Sequence, residues 1–433
     1  MSSSPEKIFR DPLWDTIRLD AMALRIVDTP EFQRLRYIRQ LGFTHLVYPG
    51  ATHTRFDHAL GVYHLTKTAL RHLRDRGGVP PEAWDGEELL PYAALLHDIG
   101  HYAFSHALEE LEEGPVPAHH EDIAQRFFSS ASLRDALSPL GLTAPDRLHE
   151  LIRGDSEIPL RGLISGSLDL DKMEYLKRDA LFCGVPYGEV DVPRLIEGLQ
   201  LIRDPETGLY EIGVHEKAVA ALESLLFAKY QMFRNVYWHH AVRAATALYK
   251  RIVEDAVRVG LLVPDELVGP TDEELLYLIA RRSREGDGEV AKRIATRWLP
   301  ALQHRKLPKR ALELTAADLA GRQIEGWALG DSPWKRAVED DLALDLGLEP
   351  GEVVIDFPVK PGMFQLEILV ARRGGAVQRL NMEGLEGLLD LPRVAQELYT
   401  SARVLRVFTL ERREVSPENV LDRITRPLGS ASA

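Results

Sequence analysis

The chain has 433 residues, a length that predicts two or three domains or one large helical core with additions. Its 45% hydrophobic and 27% charged residues are typical of a globular protein and exclude a largely disordered chain. The formal net charge of −13 argues against a general nucleic-acid coat, which needs a basic surface. A single cysteine, Cys183, excludes an intramolecular disulfide and a cysteine-based zinc site.

The start of the chain carries no targeting signal that we recognise. Residues 1–7 contain no basic segment followed by an apolar run, and no stretch of about 18 uninterrupted apolar residues occurs in the sequence. We therefore expect neither a secretion signal nor a membrane span. Together with the single cysteine, this predicts a cytoplasmic protein.

Helical periodicity dominates from residue 30 to about 202 and again from 216 to about 263. In the first stretch apolar side chains recur at three-residue steps, as at Phe32, Leu35 and Ile38. The second stretch predicts one long helix that ends at a turn region rich in glycine and proline. Helices joined by short polar loops are the simplest interpretation.

The pattern changes after about Gly351. Three segments there, 353–357, 364–370 and 404–410, alternate or run apolar as β-strands do. The predicted organisation is a mostly helical core at 1–263, a helical extension at 264–350, a small α+β region at 351–424, and a disordered tail at 425–433 that is rich in Gly, Ser and Ala.

The strongest local motif is His97-Asp98, at the end of a predicted helix that stops near Gly100. An imidazole and a carboxylate side by side can bind one or two cations, and such a metal polarises phosphate and activates water. Imidazole suits Fe, Zn, Ni or Mn, whereas a carboxylate also suits a harder ion such as Mg. The dipeptide alone fits equally well a helix C-terminal cap with a hydrogen-bonded histidine.

Matching ligands occur on both sides of this motif. His58 lies upstream and Asp171 downstream, so the chain supplies two imidazoles and two carboxylates from three predicted helices that one packing arrangement could bring together. The alternative is that all four are unrelated surface or capping groups. The sequence therefore predicts a divalent metal site, with His58, His97, Asp98 and Asp171 as ligands.

The segment from Lys7 to about Asp179 resembles the HD-domain deoxynucleoside triphosphate triphosphohydrolases, particularly those that in animals also carry a sterile-alpha-motif domain. The shared motifs, in order, are 28–42, 48–51, 55–62 and 169–179. The resemblance covers the catalytic core, without a sterile-alpha-motif domain before Lys7, and it weakens beyond about Glu223. It implies a mainly α fold, an HD-domain helical phosphohydrolase core followed by the smaller α+β region.

The resemblance implies an enzyme that releases intact triphosphate and leaves a deoxynucleoside. His101, His106 and His120 would surround the phosphorus atom, with His120 as general acid beside Glu121. An imidazole suits that role because its ordinary pKa, about 6.5, is close to working pH. The alternative for His120 is a solvated loop histidine.

The resemblance also implies a set of substrate-binding residues. Arg55, Lys172 and Arg234 would offset the triphosphate charge, although each could be a surface ion-pair partner. Tyr175 and Tyr237 would flank the sugar and exclude a ribose, although helix packing is the commoner role of a tyrosine. Gln40 and Asp179 would bind the 3′ hydroxyl, and Leu41 would lie near the base. For Asp179 the alternative is an ion pair with Arg178 or Lys177.

A regulatory guanine-nucleotide site and an oligomer, most simply a tetramer, are further implications. Lys7, Asp28, Gln33 and Arg36 match positions that recognise a guanine nucleotide in the animal enzymes, and Arg305 and Lys309 match their partners from another subunit. The alternative is a helix start at Asp28 followed by a solvated arginine face. The second activator site of that family uses basic residues, which are not matched at Leu222, Ser224 and Ala228. Activation by two different nucleotides is therefore not expected, and the activator is expected to be GTP or a dNTP.

Two other functional classes are compatible with these residues. HD sites also serve phosphomonoesterases and cyclic-nucleotide phosphodiesterases, which differ from a triphosphohydrolase in their products. A nucleotide-binding regulator or single-strand binder with an inactive site is the third possibility. The complete ligand set and the acidic net charge argue against it.

Overall fold

The structure, a computed structural model, describes residues 6–77, 79–111, 120–324, 326, 333–358, 366–381, 384 and 391–425. Helices dominate this part of the chain, as the sequence predicts. They are α1 (Ala21–Val27), α2 (Pro30–Gln33), α3 (Arg55–Arg76), α4 (Leu90–Leu96), α5 (Ser105–Leu108), α6 (His120–Phe128), α7 (Ala131–Leu137), α8 (Ala144–Arg153), α9 (Gly162–Ser165), α10 (Leu170–Cys183), α11 (Val192–Gly198), α12 (Val219–Met232), α13 (His240–Arg258), α14 (Asp272–Glu285), α15 (Glu289–Arg293), α16 (Leu299–Gln303), α17 (Pro333–Asp345), α18 (Leu391–Ala402) and α19 (Pro417–Ile424).

The long helix α3 forms the centre of the core and packs against α4 and α10. Its first turn is fixed by a capping box, in which Thr54 and Asp57 satisfy each other's backbone N–H groups. Such a cap stabilises a helix end by about 1 kcal/mol. At Gly61 a β-carbon would lie 2.0 Å from the Glu174 side chain, so only glycine allows α3 and α10 to approach this closely.

Short strands form three sheets among the described residues. The strands are β1 (Lys7–Asp11), β2 (Asp15–Leu19), β3 (Leu199–Arg203), β4 (Tyr210–His215), β5 (Lys309–Leu314), β6 (Val353–Asp356), β7 (Ile368–Ala371), β8 (Val377–Leu380) and β9 (Leu405–Thr409). β1 and β2 form a hairpin, the second sheet has the order β3-β4-β7-β8, and the third has the order β5-β9-β6. Most pairs are antiparallel, whereas β4 and β7 are parallel.

The three C-terminal strand predictions are confirmed by β6, β7 and β9, although residues 359–365 and the predicted tail from 426 onward lie outside the described residues. The stretch 264–350, predicted as a helical extension, contains helices α14 to α17, and β5 also lies within it. β5 pairs through its backbone with β9, which comes about 90 residues later in the chain.

The predicted long helix at 216–263 is two helices. A π-helical turn, Phe233–Tyr237, follows α12, and α13 begins at His240. Turns of this kind interrupt α-helices frequently at functional sites. The interruption cannot be read from apolar periodicity, because both helices are buried and apolar side chains continue across it.

The C-terminal segments pack onto the helical core. The largest hydrophobic cluster contains residues from Ile17 to Trp238 together with Ile368, Val370 and Leu380 of the second sheet. A separate cluster joins β5, β6 and β9 to α17 and α19. The domain boundaries at 263 and 350 remain a proposal, and β7 and β8 complete a sheet begun by the core. None of the described helices is both long and apolar enough to cross a membrane.

Candidate metal centre and active site

Three helices bring the four predicted metal ligands together. His58 lies in the first turn of α3, His97 and Asp98 directly follow α4, and Asp171 lies in the first turn of α10. His58 and Asp98 are buried. The spacing along the chain is long, but the packing of α3 against α4 and α10 makes the four residues neighbours.

The donor atoms have the spacing that one cation requires. His58 Nε2 lies 2.9 Å from Asp171 Oδ1 and 3.2 Å from His97 Nε2. His97 Nε2 lies 3.7 Å from Asp171 Oδ1 and 3.3 Å from Asp98 Oδ1. Ligand bonds of about 2.0–2.2 Å place neighbouring donor atoms about 3–3.5 Å apart. His58, His97 and Asp171 therefore form one group that fits a divalent metal ion, and Asp98 lies beside this group, 4.0 Å from His58 Nε2.

A buried glutamate orients the first ligand. Glu174 accepts a hydrogen bond at 2.7 Å from His58 Nδ1, which leaves Nε2 directed at the other ligands. Glu174 is fully buried and also binds Arg178 and the Trp14 indole N–H. Sequence reasoning missed Glu174, although it lies three residues after Asp171 and hence on the same face of α10.

A histidine cluster lies beside the metal ligands. His101 stacks on His120 with 3.6 Å between ring centroids, and its Nε2 lies 3.2 Å from Asp98. The Glu109 carboxylate accepts hydrogen bonds from two rings, at 2.8 Å from His120 Nδ1 and 3.0 Å from His106 Nδ1. The structure thus brings the three predicted catalytic histidines together.

Glu121 was predicted as the partner of His120, but Glu109 makes the shorter contact with it. Glu121 Oε1 lies 3.3 Å from His120 Nε2, whereas Glu109 makes the shorter bond to Nδ1. Glu109 was not singled out from sequence. Its position three residues after His106, directly after the short helix α5, was the available signal.

The two stacked histidines have opposite pKa shifts. Burial, Arg55 and His120 hold the pKa of His101 well below its usual range, so this ring is neutral at neutral pH. Burial lowers the pKa of His120, but the hydrogen bond to Glu109 and the charges of Glu109, Glu121 and Asp98 together outweigh burial and raise it. The neutral ring of His101 therefore stacks on the ring of His120, which retains its proton to higher pH than an ordinary histidine.

The hydrogen positions on His101 follow from its neighbours. Burial raises the pKa of Asp98, but His97, Arg55 and His101 outweigh burial and leave it well below its usual range, so the carboxylate is ionised. An ionised carboxylate only accepts, so His101 Nε2 carries the hydrogen. Nδ1 then accepts from the hydroxyl of Ser105, 2.6 Å away.

Two of the three predicted phosphate-binding side chains lie at this site. Arg55 is buried and donates to Asp98 Oδ2 at 2.8 Å, and its Nε has no hydrogen-bond partner among the described residues. Lys172 binds Asp169 and the carbonyl of Gly166. Arg234 is exposed and donates to the Tyr230 hydroxyl at 2.6 Å.

The predicted sugar-binding residues converge on Asp179. The Tyr237 hydroxyl donates to Asp179 Oδ2 at 2.6 Å, and His53 Nε2 lies 2.8 Å from Oδ1. Asp179 is thus not paired with Lys177 or Arg178, the alternative that sequence left open. The backbone N–H of Gln40 donates to the backbone carbonyl of His53. The side-chain oxygen of Gln40 is buried and has no hydrogen-bond partner among the described residues.

Two more residues were predicted to contact the sugar and the base. Burial and the carboxylates of Asp171 and Asp169 keep the pKa of Tyr175 well above its usual range. Leu41 is half-buried at the start of the 3₁₀ turn Gly42–Leu46. Sequence reasoning missed His53, whose only signal was its position a few residues before His58.

The predicted regulatory residues fall into two places. Arg36 stacks on Phe56 at 3.5 Å and donates to Gln33, which in turn donates to the carbonyl of Val27 beside Asp28. Lys7 lies 5.5 Å from the Phe9 ring, which contacts Phe56. These four side chains therefore share one surface.

The two remaining regulatory candidates belong to a different segment. Arg305 is exposed, donates to the carbonyl of Leu46 at 2.5 Å and has a left-handed backbone with φ of 56°. Lys309 is the exposed first residue of β5.

Two family models match the chain. The first, described as HD domain, covers residues 55–161, and the second, described as HD associated region, covers residues 190–385. The first match begins at Arg55, includes His58 and the His97-Asp98 pair, and ends before Asp171.

Relatives from three branches of life are similar to this chain. An uncharacterized protein of Methanocaldococcus jannaschii is 30% identical over 98% of this chain and 84% of that protein. The uncharacterized protein YwfO of Bacillus subtilis is 35% identical over 58% of this chain and 56% of that protein. The deoxynucleoside triphosphate triphosphohydrolase SAMHD1 of Xenopus laevis is 31% identical over 55% of this chain, and the match spans less than half, 43%, of that enzyme.

Two solved structures are similar over nearly the whole chain. A hypothetical protein from Aquifex aeolicus has a TM-score of 0.68 and 26% identity, covering 94% of this chain and 96% of that one. A phosphohydrolase from Bacteroides thetaiotaomicron has a TM-score of 0.69 with 94% of this chain covered, and its 22% identity supports the fold alone.

Proposed function

The chain belongs to the HD-domain family of metal-dependent phosphohydrolases, and we propose that its substrates are deoxynucleoside triphosphates, cleaved to deoxynucleoside and inorganic triphosphate. The observation that carries this proposal is the position of His120 beside Asp98 and His101, with Glu109 on its Nδ1. A donor is placed where a leaving oxygen could receive a proton. The similarity to SAMHD1 supports the choice of substrate.

His58, His97, Asp98 and Asp171 would hold the divalent metal, which when bound supplies Lewis-acid polarisation of phosphate and a more acidic water. The set suits Fe, Mn, Mg, Zn or Ni. Arg55 offsets negative charge on the phosphate chain, since its Nε is buried and uncommitted. Lys172 adds a point charge beside Asp171.

The residues of the histidine cluster move the proton. Water attacks the α-phosphorus and gives up one proton to solvent, the bond from phosphorus to the 5′ oxygen breaks, and the leaving oxygen takes a proton from His120 Nε2, which solvent then restores. Glu109 accepts from Nδ1 and so keeps the ring charged until transfer. His101, which is neutral, donates one hydrogen bond, from Nε2 to Asp98, and releases no proton.

Sugar selection would come from the group around Asp179. The Tyr237 ring and the Tyr175 ring are proposed to flank the deoxyribose, leaving no space for a 2′ hydroxyl. Asp179 and Gln40 would bind the 3′ hydroxyl, because Gln40 has a buried oxygen without a described partner. Leu41 is proposed to contact the base, and Arg234 the phosphates from the surface.

The test of this proposal is product analysis. Purified protein is incubated with each dNTP and each candidate metal, and both products are identified by chromatography. Deoxynucleoside and tripolyphosphate in equal amounts are expected. Orthophosphate would identify a phosphomonoesterase, and opening of a cyclic nucleotide a phosphodiesterase, so either result would replace the proposed reaction.

We also propose that a guanine nucleotide regulates the enzyme and that the active form is an oligomer, with a tetramer favoured. The shared surface of Lys7, Asp28, Gln33 and Arg36 supports a nucleotide site, with Arg305 and Lys309 supplied by another subunit. GTP or a dNTP would be the activator. The single cysteine supports the further proposal of a cytoplasmic location.

A further inference from the structure

Glu110, the residue after Glu109, is bound by two cations of α13. Arg243 donates to both of its carboxylate oxygens, at 2.7 and 2.8 Å, and Lys250 donates at 3.0 Å. Burial raises the pKa of Glu110, but Arg243 and Lys250 outweigh burial and lower it to about 2. The carboxylate is therefore ionised at any working pH.

Arg243 also binds the C-terminal sheet. Its side chain is 4% exposed, and its guanidinium donates to Asp356, the last residue of β6, at 2.5 and 2.9 Å. Asp356 is 1% exposed. One buried guanidinium thus joins the end of β6 to Glu110, and the planar donor fork fixes both carboxylates in orientation.

The segment that Glu110 fixes carries the contacts of the histidine cluster. α5 has only four residues, and a helix this short has no stability of its own. At its start, Ser105 binds His101, and after its end Glu109 binds His106 and His120. Contacts from outside must therefore set the position of α5 and Glu109.

We propose that Arg243 is a positioning residue for proton transfer. It holds Glu110, and through the shared backbone it places Glu109 between His106 and His120. Because Arg243 also requires Asp356, the C-terminal sheet completes the active site rather than merely covering it. The inference rests on the proposed function for the role of His120, whereas the placement of Glu109 does not depend on the substrate.

A purely structural role for Arg243 is the alternative, and α13 offers a matched control. Arg251 lies two turns further along the same helix and is equally buried, at 4% exposure. It binds Asp255, Glu339 and Asp340 and thereby ties α13 to α17. Loss of Arg251 removes a buried guanidinium of the same kind without touching Glu110.

The first measurement compares steady-state kinetics of Arg243→Met, Arg243→Lys, Glu110→Gln and Arg251→Met, each with its metal content and melting temperature. We expect Arg243→Met to lower kcat by about 10-fold to 100-fold with KM changed less than about threefold. Arg243→Lys should lower kcat less than Arg243→Met does, and Glu110→Gln should lower kcat as Arg243→Met does. Arg251→Met should lower the melting temperature with little loss of kcat. Equal losses of kcat in Arg243→Met and Arg251→Met would overturn the proposal.

The second measurement needs no substrate. Amide hydrogen exchange over residues 105–111 should accelerate in Arg243→Met and Glu110→Gln and stay unchanged in Arg251→Met, because the Glu109 N–H donates to Ser105. Unchanged exchange in both of the first two variants would overturn the inference. If exchange accelerates in these two variants but the native protein hydrolyses no dNTP, the placement of Glu109 by Arg243 stands and only the proposed function is refuted.

Discussion

At the scale of single residues, Glu174 determines which nitrogen of His58 can bind a metal. Burial lowers the pKa of His58, but hydrogen bonds to Asp171 and Glu174 outweigh burial and raise it to about 10. In the chain without metal, a proton therefore lies between His58 and these carboxylates. A cation replaces that proton on binding, so metal affinity should fall as pH is lowered.

Metal binding gives the first prediction. His97→Ala removes a ligand and should abolish both hydrolysis and stoichiometric metal binding, whereas Glu174→Gln should weaken binding by about 10-fold to 100-fold with the ligands intact. Elemental analysis and metal titration measure both effects. His72→Gln, on α3 about four turns from His58, is the control and should keep its metal. Full metal content in His97→Ala would refute the ligand assignment.

His120 gives the second prediction. His120→Gln should lower kcat by about 10²–10⁴-fold while metal stays bound, since it removes a proton donor and no ligand. His149→Gln is the matched control, because His149 binds the Glu121 carbonyl in the same region. A variant that lost its metal would make His120 a ligand, and one that kept the native rate would place the acid elsewhere.

The pH dependence of kcat gives the third prediction. Glu109 raises the pKa of His120, so the acid form is present below that raised pKa and is lost as pH rises through it. Glu109→Gln removes the carboxylate, lowers the pKa of His120, and should move the alkaline loss of kcat to lower pH. Glu121→Gln should cause a smaller shift because its contact is longer. An unmoved alkaline limb in Glu109→Gln would contradict this pairing.

At the scale of elements, the π-helical turn Phe233–Tyr237 explains how Tyr237 reaches Asp179. Because its hydrogen bonds join residues five apart rather than four apart, a π turn advances each residue less far around the helix axis, so residue 237 faces a different side than it would in a continuous α-helix. The turn ends at Trp238, whose N–H donates to Phe233. The hydroxyl of Tyr237 then meets α10 at 2.6 Å from Asp179.

Sugar selection gives the fourth prediction, with a conservative pair of variants. Tyr237→Ala should narrow the preference for dATP over ATP because it removes the ring proposed to crowd C2′. Tyr237→Phe keeps the ring and loses only the bond to Asp179, so it should keep the preference while weakening binding. Specificity constants for both nucleotides are the measurement. Equal constants in the native protein would refute the steric explanation.

At the scale of the whole molecule, the C-terminal region contributes to two different cores. β7 pairs with β4 and buries Val370 in the largest cluster, whereas β6 and β9 form a sheet with β5 against α13. Truncation before β6 would therefore expose apolar surface on both the helical core and α13. The region behaves as part of the fold that surrounds the active site.

Nucleotide-dependent assembly gives the fifth prediction. GTP that bridges subunits should raise the oligomer mass and the initial rate together, because binding to the assembled form stabilises it by mass action. Light scattering after size exclusion, with initial rates, is measured for the native chain and Asp28→Ala. Asp75→Ala, an exposed carboxylate at the end of α3, is the control. A mass and rate independent of GTP in the native chain would refute regulation and leave catalysis unaffected.

The sequence by itself was sufficient for the helical class and the three C-terminal strands, and it singled out the four candidate metal ligands that the structure brings close together. Those four residues belong to types with distinctive chemistry, and each stands in a motif with a helical period. Periodicity reports only which side of a local segment is apolar. It could not show the break between α12 and α13, nor the partner of β5.

Only the tertiary structure decided which charged groups meet. Glu109, Glu174, His53 and Arg243 are ordinary polar residues in the sequence, and each meets a charged or polar partner on another element. Glu174 meets His58 because Gly61 lets α10 approach α3, and Arg243 meets Asp356 because β6 packs on α13. A buried charge is stable only beside its counter-charge, and that pairing depends on distances between elements that are far apart in the chain.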